Sequence, residues 1–180
     1  MSIIKKKAKV WYKKVVINFF LLFYKRPQVN LKNQDITEKI HNLKIEGNKY
    51  NLFELTNGRI YTDTNDTTAY ITKNNYISEA SLQYKKFDFI NSRNQKINKN
   101  ETIKKGTPKF KKKIKGNILS LVSGGASKDN FTHWFTDVIP RIMIYQQKFN
   151  LNNISKFYVP SIRYNFQLES LINFGINRND

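Results

Sequence analysis

The segment GNILSLVSGGASKDNFTHWFTDVIPRIMIYQQKF, Gly116–Phe149, decides how the fold of this chain is read. It opens on a short apolar run that ends in a glycine pair, Gly124-Gly125, which reads as a buried strand closed by a tight turn. A helical pattern follows. Downstream, KFYVP (156–160) reads as a second strand stopped by Pro160. YNFQLESLINFG (164–175) then reads as a second helix with Gly175 at its left-handed cap. A β-α-β-α order predicts parallel strands joined by crossover helices. In such sheets ligands bind beyond the carboxyl ends of the strands, where the chain running into Phe131 would lie.

Within the helical pattern, Phe131, Trp134, Phe135, Val138, Ile139, Ile142 and Tyr145 recur at spacings of three and four and predict one broad apolar face. Asp129 or Ser127 can cap its start. His133, Asp137 and Arg141 recur every four residues as a second stripe. Two readings of the stripe stand. It is either a set of surface pairs, worth about 0.2–0.5 kcal/mol each, or a catalytic group. In the second case Asp137 fixes the tautomer of the His133 imidazole, which takes a proton from a hydroxyl nucleophile, and Arg141 holds an anionic or hydroxylated group. Pro140 costs roughly 3 kcal/mol inside a helix. It therefore predicts either a kink or a helix that starts near residue 140, where proline is tolerated.

Upstream, Lys44–Tyr84 has β texture. NKYNLFEL and RIYTD flank Asn57-Gly58, a strong hairpin signal. TAYIT and NYIS, separated by Lys73-Asn74, extend the pattern to a small antiparallel meander. Residues 28–43 read as irregular or a short helix, with His41 as a surface histidine. KKGTPKFKKKIK (104–115), with seven lysines in twelve residues, reads as a solvated loop or as a patch that attracts anionic lipid, a lipid diphosphate or a nucleotide phosphate.

At the N-terminus a basic stretch precedes a largely apolar run, Val15–Tyr24, that is too short to span a bilayer. It resembles the start of a signal peptide but lacks the small-residue cleavage pattern. It reads as a helix, either packed on its own domain or laid on an anionic membrane surface. The organisation expected is a basic amphipathic helix over 1–26, a β-rich lead-in with a basic loop over 27–116, and the β-α-β-α unit over 117–180.

Composition narrows the chemistry. With 39% apolar and 14% aromatic residues a packed core is expected. Without cysteine there is no disulfide framework, thiolate nucleophile or Cys-ligated zinc. Two histidines far apart and no carboxylate pair at ligand spacing near the stripe indicate no metal site, and no cofactor is expected. The net charge of +19 lies outside the patterned region, since residues 121–180 carry six bases against four acids. Lysines outnumber arginines 26 to 6 and asparagines number 23, a skew that A/T-rich coding explains. No nucleic-acid-binding motif is present, so no nucleic-acid partner is expected.

The run GNILSLVSGGASKDNFTHWFTDVIPRI resembles the N-terminal motif of glycosyltransferase family 61 and related capsular-polysaccharide biosynthesis proteins, whose strand is followed by a pattern close to Asn-Tyr-x-His-Trp-Leu-x-Asp-x-Leu-Pro-Arg-Leu. Asn130, His133, Trp134, Asp137, Pro140 and Arg141 match it, with Phe131, Phe135, Ile139 and Ile142 at its aromatic and leucine positions. Residues of about 70–178 share the likeness. It implies an α/β fold: the Rossmann-like N-terminal lobe of a GT-B type glycosyltransferase, facing a second lobe that holds most nucleotide-sugar contacts. That second lobe is absent up to Asp180, so an incomplete chain is expected.

The function so implied is transfer of a sugar from a nucleotide-sugar donor to a glycan acceptor in surface polysaccharide biosynthesis, in the cytoplasm or at the inner membrane face. His133 would be the base or an acceptor ligand, Asp137 its orienter and Arg141 a substrate clamp. Asn130 would bond a sugar hydroxyl or cap the helix, and Trp134 would belong to the core. The rival readings are a basic, non-enzymatic module that binds a membrane surface or polyanion, and an inactive fragment.

Overall fold

The computed structural model describes residues 3–29, 35–62, 67–83, 100–122, 130–159 and 161–177. The chain begins with helix α1 (Ile3–Tyr24). Strands β1 (Glu38–Ile45) and β2 (Asn48–Leu55) form an antiparallel hairpin in the register Glu38 to Leu55 through Ile45 to Asn48. A second antiparallel sheet has the order β3 (Arg59–Thr62), β4 (Thr67–Ile71), β5 (Leu82–Gln83). A one-turn helix α2 (Thr102–Lys105) precedes the lysine-rich segment.

The C-terminal unit is a β-α-β-α run. Strand β6 (Ile118–Ser120) pairs in parallel with β7 (Lys156–Tyr158), Leu119 opposite Phe157. The crossover is helical: α3 (Phe131–His133), a π-turn over Trp134–Val138, and α4 (Ile139–Gln146). Helix α5 (Asn165–Ile172) follows β7. Gly175 takes a φ of 75°, in the left-handed region expected of it. The Gly124-Gly125 pair, the two proposed caps Ser127 and Asp129, and Pro160 lie outside the described residues.

Two cores sit under these elements. The larger packs Leu121, Trp134, Val138, Ile139, Ile142, Leu171 and Ile176, with Leu119, Phe157 and Phe166 against it. The smaller joins Ala69, Ile71 and Ile77 with Val29, Tyr61 and Ile103. Of the expected apolar face of the crossover, Phe131 and Phe135 leave the core. They remain exposed and pack against each other and against Phe166, Phe131 edge-on to Phe166 and the other two pairs tilted, ring centroids 4.7 to 6.0 Å apart.

Several expectations for the β-rich part are corrected. The hairpin turns at Glu46-Gly47, where both residues take positive φ (49° and 80°), and not at Asn57-Gly58. The latter turn separates two sheets, so the single meander becomes two. Residues 38–43, part of a stretch read as irregular or a short helix, belong to strand β1, and His41, read as a surface histidine, lies on its inner side, 7% exposed. Its Nε2 is 2.9 Å from Glu54 Oε2, and its ring meets Phe149 at 5.0 Å, tying the hairpin to the end of the crossover. NYIS forms no regular strand. It returns through single bridges, Ile71 to Ile77 and Gln28 to Tyr76.

Candidate active site

The crossover holds the candidate site, and its irregular backbone follows from one residue. An α register would pair the Thr136 carbonyl with the N–H of residue 140, which proline lacks. The chain instead widens to a π-turn, in which the Ile139 N–H donates to the Trp134 carbonyl, five residues back. Pro140 then falls in the first turn of α4, where its missing donor costs little. The backbone stays right-handed at His133, Trp134, Val138 and Ile139, so the segment runs on through Pro140 with a change of hydrogen-bond register and does not begin there.

Asn130 opens the segment. Its Oδ1 accepts from the backbone N–H groups of Thr132 (2.9 Å) and His133 (3.4 Å), so this oxygen serves the helix start. Thr136 Oγ1 donates to the Thr132 carbonyl at 2.9 Å. Trp134 is 1% exposed and donates from Nε1 to Ser170 Oγ at 2.8 Å, which places it in the core. Ser170 Oγ in turn donates to the Gln167 carbonyl, and Gln167 Oε1 accepts from the N–H groups of Arg163 and Tyr164 at the start of α5. The fixed indole anchors the turn that carries its neighbour, His133.

His133 Nδ1 lies 2.7 Å from Asp137 Oδ2, and the two side chains are 43% and 30% exposed. Against an ionised carboxylate Nδ1 carries the hydrogen, so Nε2 presents its lone pair. Nε2 has no partner among the described residues. Arg141 Nε donates to the Asp137 carbonyl at 2.8 Å, which aligns the guanidinium along the same flank. Sequence spacing thus brought the His133 and Asp137 side chains together, while Arg141 bonds the Asp137 main-chain carbonyl and not its carboxylate, and Asn130 caps the segment.

At the carboxyl end of β6 stands a residue that the spacing argument missed. Tyr70, on β4, donates to the Val122 carbonyl, and its hydroxyl is 2.9 Å from Ser120 Oγ. Burial pushes the Tyr70 phenol above its ordinary value. The Ser120 hydrogen bond and the nearby Arg141 charge oppose that shift, and Tyr158 at the end of β7 adds to it. Tyr70 and Ser120 therefore meet where β6 ends, with Arg141 and Tyr158 near enough to act on the phenol electrostatically. A half-buried tyrosine in a strand whose neighbours Thr68, Ala69 and Ile71 are all buried carries no such signal in one sequence; only the fold brings it here. Among the described residues no three His, Asp or Glu side chains gather as metal ligands. Compared with known proteins, the chain matches no family model, no curated protein and no solved structure.

Proposed function

We infer that the chain carries the catalytic base of a glycosyltransferase, acting on a glycan acceptor with a nucleotide-sugar donor, and that its β-α-β-α unit is the start of a Rossmann-like lobe of the GT-B kind. The observation that carries this reading is the His133–Asp137 contact of 2.7 Å on a π-turn, with Nε2 unpaired among the described residues. Turns of this kind recur at functional sites. The parallel β6–β7 pair supports the same reading, since it sets the crossover at the ligand-binding edge of a sheet. So does the resemblance of residues 116–142 to the motif of glycosyltransferase family 61.

In the reaction, an acceptor hydroxyl oxygen bonds to the anomeric carbon as the bond from that carbon to the nucleoside diphosphate breaks. His133 Nε2 takes the hydroxyl proton. Asp137 holds the imidazole in the required tautomer and balances the imidazolium charge. The Arg141 guanidinium, anchored through Nε, turns its remaining N–H groups to a sugar hydroxyl or a phosphate oxygen.

The test is nucleoside diphosphate release across a panel of nucleotide sugars, with and without glycan acceptors, by a full-length version that carries the second, donor-binding lobe. Release that depends on the acceptor and is lost in His133→Ala supports the reading. Release that His133→Ala leaves unchanged, or no release with any donor, refutes it.

A further inference from the structure

We propose that α1 and the lysine-rich segment 104–115 form one surface that docks on an anionic lipid bilayer, with the helix lying in the plane of the interface. On α1, Trp11, Val15, Phe19 and Leu22 recur at spacings of four, four and three and so share a face, bordered by Tyr12 and Phe23. All six are exposed, Trp11 at 68% and Leu22 at 82%. The opposite face holds the helix to the protein. Phe20 meets Phe110 at 5.0 Å, and the Lys111 ammonium stands 4.0 Å over the Tyr24 ring. Leu21 packs so closely on Gly106 that a Cβ there would lie 2.6 Å from Leu21 Cδ2. The apolar stripe is therefore directed away from the domain by the contacts that fix the helix.

These contacts also join two basic segments that are far apart in sequence. Lys5, Lys7, Lys9, Lys13 and Lys14 of α1 are exposed, as are Lys109, Lys111, Lys112, Lys113 and Lys115. No acid occurs before Asp35 or between Glu101 and Asp129, so the lysines of both segments face no acid of their own stretch, save Lys105, which pairs with Glu101. A shallow groove of about 370 Å³ between Lys7, Val10, Trp11 and Lys14 sets an apolar floor between two ammonium groups. An anionic headgroup above acyl chains matches that arrangement.

A polyanion such as a nucleic acid would meet the lysines but leave the aromatic stripe in water. A second copy would cover the stripe but bring the two sets of lysines together. No helix among the described residues is long and apolar enough to cross a membrane, which leaves docking in the interface. The proposal stands independently of the transferase reading.

Trp11 supplies a native probe, because the other tryptophan, Trp134, is buried. The chain is mixed with vesicles of phosphatidylcholine alone, or of equal parts phosphatidylcholine and phosphatidylglycerol, and followed by flotation and by quenching from brominated acyl chains. The expected result is co-flotation with the anionic vesicles only, blue-shifted and quenched tryptophan emission, and weakening by salt as the Debye length shrinks. Leu22→Ser with Phe23→Ser should lower partitioning at least about tenfold, since two large apolar side chains lose their burial, while far-UV circular dichroism stays unchanged. Lack of binding to anionic vesicles overturns the proposal. So does binding that the double variant leaves intact, or a stable dimer in solution in which Trp11 is already shielded.

Discussion

The Tyr70 hydroxyl and the Ser120 hydroxyl lie 2.9 Å apart, joining the antiparallel sheet of β4 to the carboxyl end of β6. Tyr70 spends its single hydrogen on the Val122 carbonyl, so Ser120 donates to Tyr70. Tyr70→Phe keeps the ring and strands a buried carbonyl and a hydroxyl. The expected loss is about 1–3 kcal/mol, read from urea denaturation. A loss too small to resolve would mean that the two units are held together by the apolar contacts alone.

Asp35 gives a signed dependence on pH. Burial pushes its carboxyl up, but hydrogen bonds from Thr72, Thr37 and Asn74 outweigh burial and hold it below its ordinary value of 3.8. The folded state thus binds the proton less readily than the unfolded one. The resulting stability is present above the unfolded value and lost as pH falls through the folded one. Glu38, raised by burial despite its bond from Ser78 and next to Glu79 and Asp35, acts in the opposite sense: its stability contribution is lost as pH rises. Asp35→Asn should flatten the acid limb of a plot of urea midpoint against pH. Glu38→Gln should steepen the same limb. Parallel curves for both variants and the parent would show that neither carboxyl is coupled to folding.

The order strand, helix, strand, helix was legible from residue 116 onward because each element carries its own local signal. Examples are the apolar run of Ile118–Ser120, the Asn130 cap, the spacing of Trp134, Val138 and Ile142, and Gly175 at a left-handed position. The π-turn was foreshadowed by Pro140, but its form depends on which carbonyl the Ile139 N–H finds. The β-rich part was read less well for a physical reason. Asn57-Gly58 is the stronger turn signal, yet the hairpin closes at Glu46-Gly47, because β2 finds its partner in β1 along eight residue pairs. Strand β1 was hidden because His41 occupies an inward position beside Leu43 and Ile45, which breaks the apolar alternation. The contribution of Tyr70 to the site spans 50 positions, a separation that no local pattern encodes.

Pro140 lies in the first turn of α4, after a turn that already bypasses its missing donor. Pro140→Ala should therefore change stability by less than about 1 kcal/mol. A gain near the ~3 kcal/mol expected for relieving a helix-interior proline would mean that the crossover wants to be one continuous α-helix. In that event the His133–Asp137 spacing, measured through the ring-nitrogen resonances of His133, should change as well.

The dyad itself separates a structural from a catalytic role. As an i,i+4 pair that is 43% and 30% exposed, His133–Asp137 contributes at most about 0.5 kcal/mol to folding. Asp137→Asn and His133→Ala should leave the urea midpoint nearly unchanged. A positioned base, in contrast, contributes about 10²–10⁴ in rate. Both variants should then lose turnover by that order with little change in donor KM. Asp137→Asn should also alter the pH profile of kcat, because an amide no longer selects the tautomer that leaves Nε2 as acceptor. His133→Gln can still hydrogen-bond Asp137 but cannot take up a proton, so it should be as inactive as His133→Ala. Turnover retained in His133→Gln would reduce His133 to a positioning residue and move the search for the base to the surroundings of Tyr70 and Arg141.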